Sequence, residues 1–142
     1  MIQSCRIACL LLLASASLSA DPSSVEGRWL TQEGDGWVRL AIVGDSLEGS
    51  IVGSPTDDEE REFDDRNPNP ELRSRRLQGL TIMKGFTYGG NGRWANGRVY
   101  DPNTGKTYKC TVTLLDANTL KLRGYIGVSL FGRSETWTRD DE

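Results

Sequence analysis

Apolar and polar positions alternate in short runs separated by glycine-rich turns, the period-2 pattern of half-buried β-strands. The clearest case runs from Val38 to Val52. Gly44-Asp45 there is a two-residue loop of the kind that favours primed turns. Pairing across it sets Ile42 opposite Leu47, Leu40 opposite Gly49 and Val38 opposite Ile51, with Arg39, Glu48 and Ser50 on the other face. A one-residue slip would turn the apolar set to solvent, so the register is strongly specified.

A second hairpin surrounds residues 101–105. Pro102 suits the first central position of a type I turn, and Gly105 can take positive φ. In the strand that follows, Tyr108, Cys110, Val112 and Leu114 face one way and Thr107, Lys109, Thr111 and Thr113 the other. Val99 and Gly97 then fall opposite Tyr108 and Cys110. The next turn reads as a three-residue loop, Asp116-Ala117-Asn118, with Asn118 suited to the left-handed conformation. Beyond it Leu120 and Leu122 meet Leu114 and Val112. Cys110, in mid-face, reads as a small buried hydrophobe.

Further runs bring the count to about eight strands, near 27–32, 37–43, 46–53, 79–88, 93–100, 106–115, 119–126 and 132–139. Short loops between consecutive strands imply an up-and-down order. The predicted fold is all-β, an eight-stranded antiparallel up-and-down barrel; closure removes exposed edges. A two-sheet sandwich is the alternative. Residues 54–78 break the rhythm, being polar and rich in Asn and Pro. Their first half, from Asp57 to Glu62, reads as solvated loop. In the second, Asn69 can cap a short helical turn with Pro70 and Glu71 next, and Leu72 could pin it to the barrel.

The first twenty residues change the picture of where the chain works. Arg6, an apolar run from Ile7 to Ala14 and small residues up to Ala20 follow the plan of a secretory signal peptide. The run is too short to span a membrane, and no later segment is a candidate, so no transmembrane segment is expected after signal removal. Residues 1–20 are therefore expected to be cleaved near Ala20, leaving 21–142 as one domain in the periplasm or secreted. That domain keeps one cysteine, Cys110, and so has no internal disulfide.

With 17 basic and 20 acidic residues, a net charge of −3 and mixed signs, the composition does not suggest nucleic acid. There is no histidine, which removes the commonest general base and metal ligand. No Gly-x-Ser-x-Gly elbow, zinc set or phosphate-cradling loop is present. Asp65, Asn67 and Asn69 alternate as calcium ligands do, but Pro70 stands where such a loop needs Gly and Arg76 where it needs an acid. The expectation is a binding protein with no catalytic residues, metal or cofactor.

Three stretches together resemble the bacterial family known as domain of unknown function 2147. They are residues 65–80 (Asp65-Arg66-Asn67-Pro68-Asn69-Pro70 onwards), Val99-Tyr100-Asp101-Pro102 with Gly105-Lys106-Thr107-Tyr108, and residues 120–127 continuing to Gly132-Arg133 and Trp137-Thr138-Arg139. The resemblance implies a small exported protein. Gly27-Arg28-Trp29 on the first strand also resembles the opening of lipocalins and their calycin relatives, whose Trp lies under an Arg of the last strand. Arg133 or Arg139 would take that place, and the likeness implies a central cavity.

Two readings apply to the arginines of the long loop. Arg73, Arg75 and Arg76 could bind an anionic ligand at the barrel mouth, or pair with Asp64, Asp65 and Glu71 to hold the loop down. Asp65, Asn67, Tyr100 and Asp101 are read as structural, as are Gly27, Trp29, Gly105 and Trp137. Arg133, Glu135 and Trp137 share one face of the last strand; if Trp137 points inward, the charges follow it. Arg123 and Tyr125 pose the same question next door. The function expected is an exported binding module for a small amphipathic or anionic molecule, with Arg73, Arg75, Arg76, Arg123, Tyr125 and Arg133 as binding residues and the 64–78 loop as a lid. The alternative is a side-chain-filled barrel that contacts an envelope protein partner.

Overall fold

The Val38–Val52 hairpin forms as its pattern dictates. Strands β2 (Trp37–Val43) and β3 (Ser46–Gly53) pair Ile42 with Leu47, Leu40 with Gly49 and Val38 with Ile51. Gly44 takes φ 62°, which a primed two-residue turn requires at its first central position. The computed structural model describes residues 21–56, 61–127 and 132–141, and in it eight antiparallel strands follow one another around a closed barrel. The expected signal peptide and the acidic stretch at 57–60 lie outside the described residues.

The other strands are β1 (Gly27–Leu30), β4 (Thr81–Tyr88), β5 (Arg93–Asp101), β6 (Lys106–Asp116), β7 (Thr119–Tyr125) and β8 (Arg133–Arg139). Closure comes from β1 against β8, with Trp29 opposite Arg139 and Leu30 opposite Thr138. That pairing rules out the two-sheet sandwich. Val99 pairs with Tyr108, Gly97 with Cys110, Leu114 with Leu120 and Val112 with Leu122, all as the alternation requires.

One turn differs. The loop after β6 is Ala117-Asn118, with Asp116 opposite Thr119 and a register shift between Leu114 and Asp116. The shift absorbs the extra residue, and the Asp116 carboxylate accepts the Asn118 N–H at 2.8 Å. Asn118 does not take left-handed φ; among the described non-glycine residues Asn91 and Asn96 do.

The turns at 44–45, 89–92 and 117–118 sit at one end, and there the interior is packed with Trp29, Leu40, Leu47, Phe86, Val112 and Leu120, all essentially inaccessible to solvent. Two glycines make room for these side chains. A Cβ at Gly97 would lie 2.3 Å from the Phe86 ring, and one at Gly49 would lie 2.8 Å from both Leu40 and Met83. A short 3-10 turn, Pro22–Val25, adds Val25 to the same core, and the Val25 carbonyl accepts the Trp29 indole N–H at 2.9 Å.

Arg139 seals this floor. Its guanidinium lies 4.3 Å from the Trp29 ring centroid and donates to the carbonyls of Ser24, Glu26 and Ala117 at 2.5–2.7 Å. Of the two arginines considered for this place, Arg139 holds it. Arg133 is exposed at the opposite end, because the β1–β8 register sets Trp29 beside Arg139.

Candidate functional site

Toward the end where the chain turns at 31–36 and 101–105, and where β7 ends and β8 begins, inward side chains no longer meet across the barrel. They enclose a cavity of about 820 Å³. Val38, Ile51, Ile82, Val99, Leu122 and Trp137 supply its apolar wall and Tyr108, Cys110 and Glu135 polar groups on that wall, while Glu33, Asp35, Arg61, Glu62, Arg76, Asp101 and Arg133 line it as well. Trp137 is buried and faces inward, so the two-residue period of β8 brings Glu135 in with it. The Glu135 carboxylate accepts the Trp137 indole N–H at 3.1 Å. Among the described residues no cation stands within ion-pairing distance of it. Burial, and then the neighbouring Glu135, push the Cys110 thiol up to about 12 against the backbone hydrogen bond from Arg123. The thiol stays protonated at neutral pH, which suits a wall residue and not a nucleophile.

A strap of residues 61–80 borders the mouth, and Asp64 holds it. This carboxylate is completely buried, yet both of its oxygens accept hydrogen bonds. It accepts from the Tyr100 hydroxyl at 2.6 Å, the Asn67 amide at 2.8 Å and the Arg75 guanidinium at 2.9 Å. Desolvation pushes the Asp64 pKa up, but the three hydrogen bonds and the Arg75 charge outweigh it and hold the carboxyl below its ordinary value. Tyr100 moves the other way. Burial, then its bond to the Asp64 carboxylate, raise it to about 12.

Further ties fix the strap to the β5–β6 turn. Arg61 donates to the Pro102 carbonyl and Arg66 to that of Asn103, each at 3.0 Å. Gly105, at φ 71°, lies so close beneath that a Cβ would sit 2.3 Å from the Arg66 carbonyl oxygen. Asp101 shapes the turn by accepting from the Asn103 N–H at 2.9 Å and the Thr104 hydroxyl at 3.0 Å.

The loop arginines are mostly engaged within the strap. Arg73 donates to the Asn67 carbonyl at 2.7 Å, and Arg75 pairs with Asp64 and lies 5.4 Å from the Tyr100 ring centroid. Arg76 pairs with Glu62 at 2.5 Å over the Phe63 ring. Of the six residues expected to bind ligand, Arg76, Tyr125 and Arg133 line the cavity; Arg73, Arg75 and Arg123 do not. Arg123 lies on the outward side of β7 and donates to the Ser134 hydroxyl at 3.4 Å.

Two further placements correct the reading of the loop. Asp65 is exposed and pairs with Arg61, so the buried anchor is its neighbour Asp64. Leu72, in the 3-10 turn Pro70–Leu72 that Asn69 caps as expected, is exposed and pins nothing. Asn67 is buried, and its side chain also accepts the Asn69 N–H at 2.8 Å. Glu135 was accessible to sequence reasoning only through the parity it shares with Trp137. The role of Asp64 depends on Tyr100, which arrives from a distant strand.

Comparison with known proteins gives a family and a fold. A family model described as an uncharacterised protein conserved in bacteria, domain of unknown function 2147, matches residues 27–139. No curated protein matches the chain. Among solved structures, a Helicobacter pylori protein, HP1028, reported as belonging to the lipocalin family, superimposes with a TM-score of 0.75 at 24% identity, covering 82% of this chain and 83% of that one. A redesigned β-barrel gives a TM-score of 0.46 at 15% identity, over 89% of this chain and 100% of its own.

Proposed function

Because the chain belongs to the bacterial domain of unknown function 2147 family and folds as a lipocalin-like barrel, we propose that it binds a small amphipathic molecule outside the cytoplasm, without transforming it. One observation carries this reading: the barrel opens at one end into a cavity of about 820 Å³ whose inward strand positions are mostly apolar, with Glu135 on β8 as a carboxylate among them. Pockets of about 300–1,000 Å³ with few polar groups are the size and character of small-ligand sites. A filled barrel acting only through its outer surface accounts for the packed end and not for the hollow one.

The polar end of the ligand follows from Glu135. An apolar molecule filling the cavity would strip water from this carboxylate and give nothing back, at a cost of several kcal/mol. A ligand bearing an ammonium group, or at least a hydrogen-bond donor, offsets that cost, and the Trp137 and Tyr108 rings add cation–π attraction. Glu135 on the barrel wall favours a cationic end over the anionic one expected from the sequence; Arg61 and Arg76 at the mouth are paired with Asp65 and Glu62, which leaves exposed Arg133 as the lining cation that would draw an anionic end instead. The strap acts as a fixed rim and not as a moving lid, given how many bonds hold it. Export would follow from the segment at 1–20.

The test is competition for a fluorescent apolar probe by decylamine, decanol and decanoate. The expected order of affinity is ammonium, alcohol, carboxylate, with about tenfold between neighbours, and Glu135→Gln should abolish the ammonium advantage. Decanoate binding best would overturn the assignment of the polar end. Native mass spectrometry of protein from its own host should then find an amine-bearing ligand.

A further inference from the structure

The outer surface of the barrel carries a second feature, independent of the cavity. Strands β4 to β7 hold acidic residues only at two ends, Asp101 and Asp116, although the whole chain has a net charge of −3. Their outward positions hold Lys84, Arg93, Arg98, Lys109, Lys121 and Arg123. The register lines up like charges: Lys84 stands opposite Arg98, and Arg98 opposite Lys109. Arg93 and Lys121 flank Thr113 from its two sides. Like charges directly opposite across a sheet are destabilising, so folding gives no reason for this row. Lys84, Arg93, Arg98, Lys109 and Lys121 are exposed, and none has an ion pair among the described residues.

On this face a shallow depression of about 390 Å³ is lined by Arg93, Thr111, Thr113, Leu115, Lys121, Arg123 and Tyr125, the last of which also borders the cavity. Three guanidinium or ammonium groups with two hydroxyls form a setting for a phosphate. Leu115, 55% exposed, stands in the same depression as an apolar contact. We propose that this face docks the barrel on a membrane rich in anionic lipid, with a lipid headgroup phosphate in the depression and Leu115 against the acyl boundary. The chain as a whole has a net charge of −3, so its acidic excess lies outside these four strands, and this unequal distribution of charge turns the basic strands to the surface. A soluble polyanion would satisfy the cations but leave Leu115 in water, which favours the lipid surface.

The experiment is sedimentation of the protein with phosphatidylglycerol–phosphatidylcholine vesicles and with phosphatidylcholine vesicles alone. Binding is expected on the anionic vesicles only, and it should be lost in high salt. The triple change Arg98→Glu, Lys109→Glu and Lys121→Glu should weaken it about a hundredfold, at about tenfold or less per charge. Probe affinity in the cavity reports that the variant is folded, and Lys109→Gln with Lys121→Gln gives a gentler second variant expected to lose about tenfold. Equal binding to neutral vesicles, wild-type binding by folded variants, or capture of soluble polyphosphate without any binding to anionic vesicles would overturn the proposal.

Discussion

The two ends of one barrel use the same alternation of inward side chains to opposite effect. At the Trp29 end, large residues face glycines: Phe86 occupies the space over Gly97, and Leu40 and Met83 that over Gly49, so the interior is filled. At the other end, Val38, Ile51, Val99 and Leu122 face one another across a space that none of them reaches over. An eight-stranded barrel has an interior that side chains just fill or that holds one small ligand. This chain does both, and the choice is made by side-chain volume at a few inward positions, with no change in strand number.

The largest expected contrast is in truncation. Phe86→Ala should cost about 4 kcal/mol of stability, because its surroundings cannot collapse around the loss. Val99→Ala, which enlarges an existing cavity, should cost about 1 kcal/mol or less. Urea unfolding of both variants measures the difference, and equal costs would mean that the two ends are packed alike.

Asp64 sharpens the comparison from the hollow side. There the rim is held by a buried polar cluster in place of an apolar core. Asp64→Ala leaves Arg75 and Tyr100 without their partner and should cost about 3 kcal/mol. Proteolysis should then cut the strap at 61–80 while the strands stay protected, which limited digestion would reveal.

A smaller effect is expected in pH dependence. Tyr100 and Cys110 each titrate near 12 in the fold, above ordinary values of 10.0 and 9.0. Their contribution is therefore complete below those ordinary values and is lost as pH rises toward 12. Asp64 has the opposite sign. Its carboxyl is held below 3.8, so its contribution is complete above that value and disappears as pH falls through the folded-state pKa. Denaturation midpoints followed across pH should decline on both sides, and Tyr100→Phe should flatten the alkaline limb.

Much of the fold was legible in the sequence because period-2 alternation and turn chemistry act locally. The pairs Ile42–Leu47 and Leu114–Leu120 follow from residues that lie close to the same turn. The arginine over Trp29 was not legible: Arg133 and Arg139 lie on one strand with the same parity, and only the long-range register of β1 with β8 separates them. The strap was harder still. It has no period, and whether Asp64 or Asp65 is buried depends on where the Tyr100 hydroxyl arrives from β5. Glu135 was legible as a conditional, since its orientation followed once Trp137 was known to face inward.

The central claim is that the hollow end is a ligand site and not an imperfection of packing. Calorimetric titration of decylamine into Val99→Phe tests it most directly, because the added ring occupies the cavity beside Tyr108. A melting temperature at or above that of the wild type, with binding lost, is expected. Wild-type affinity in that variant would contradict it.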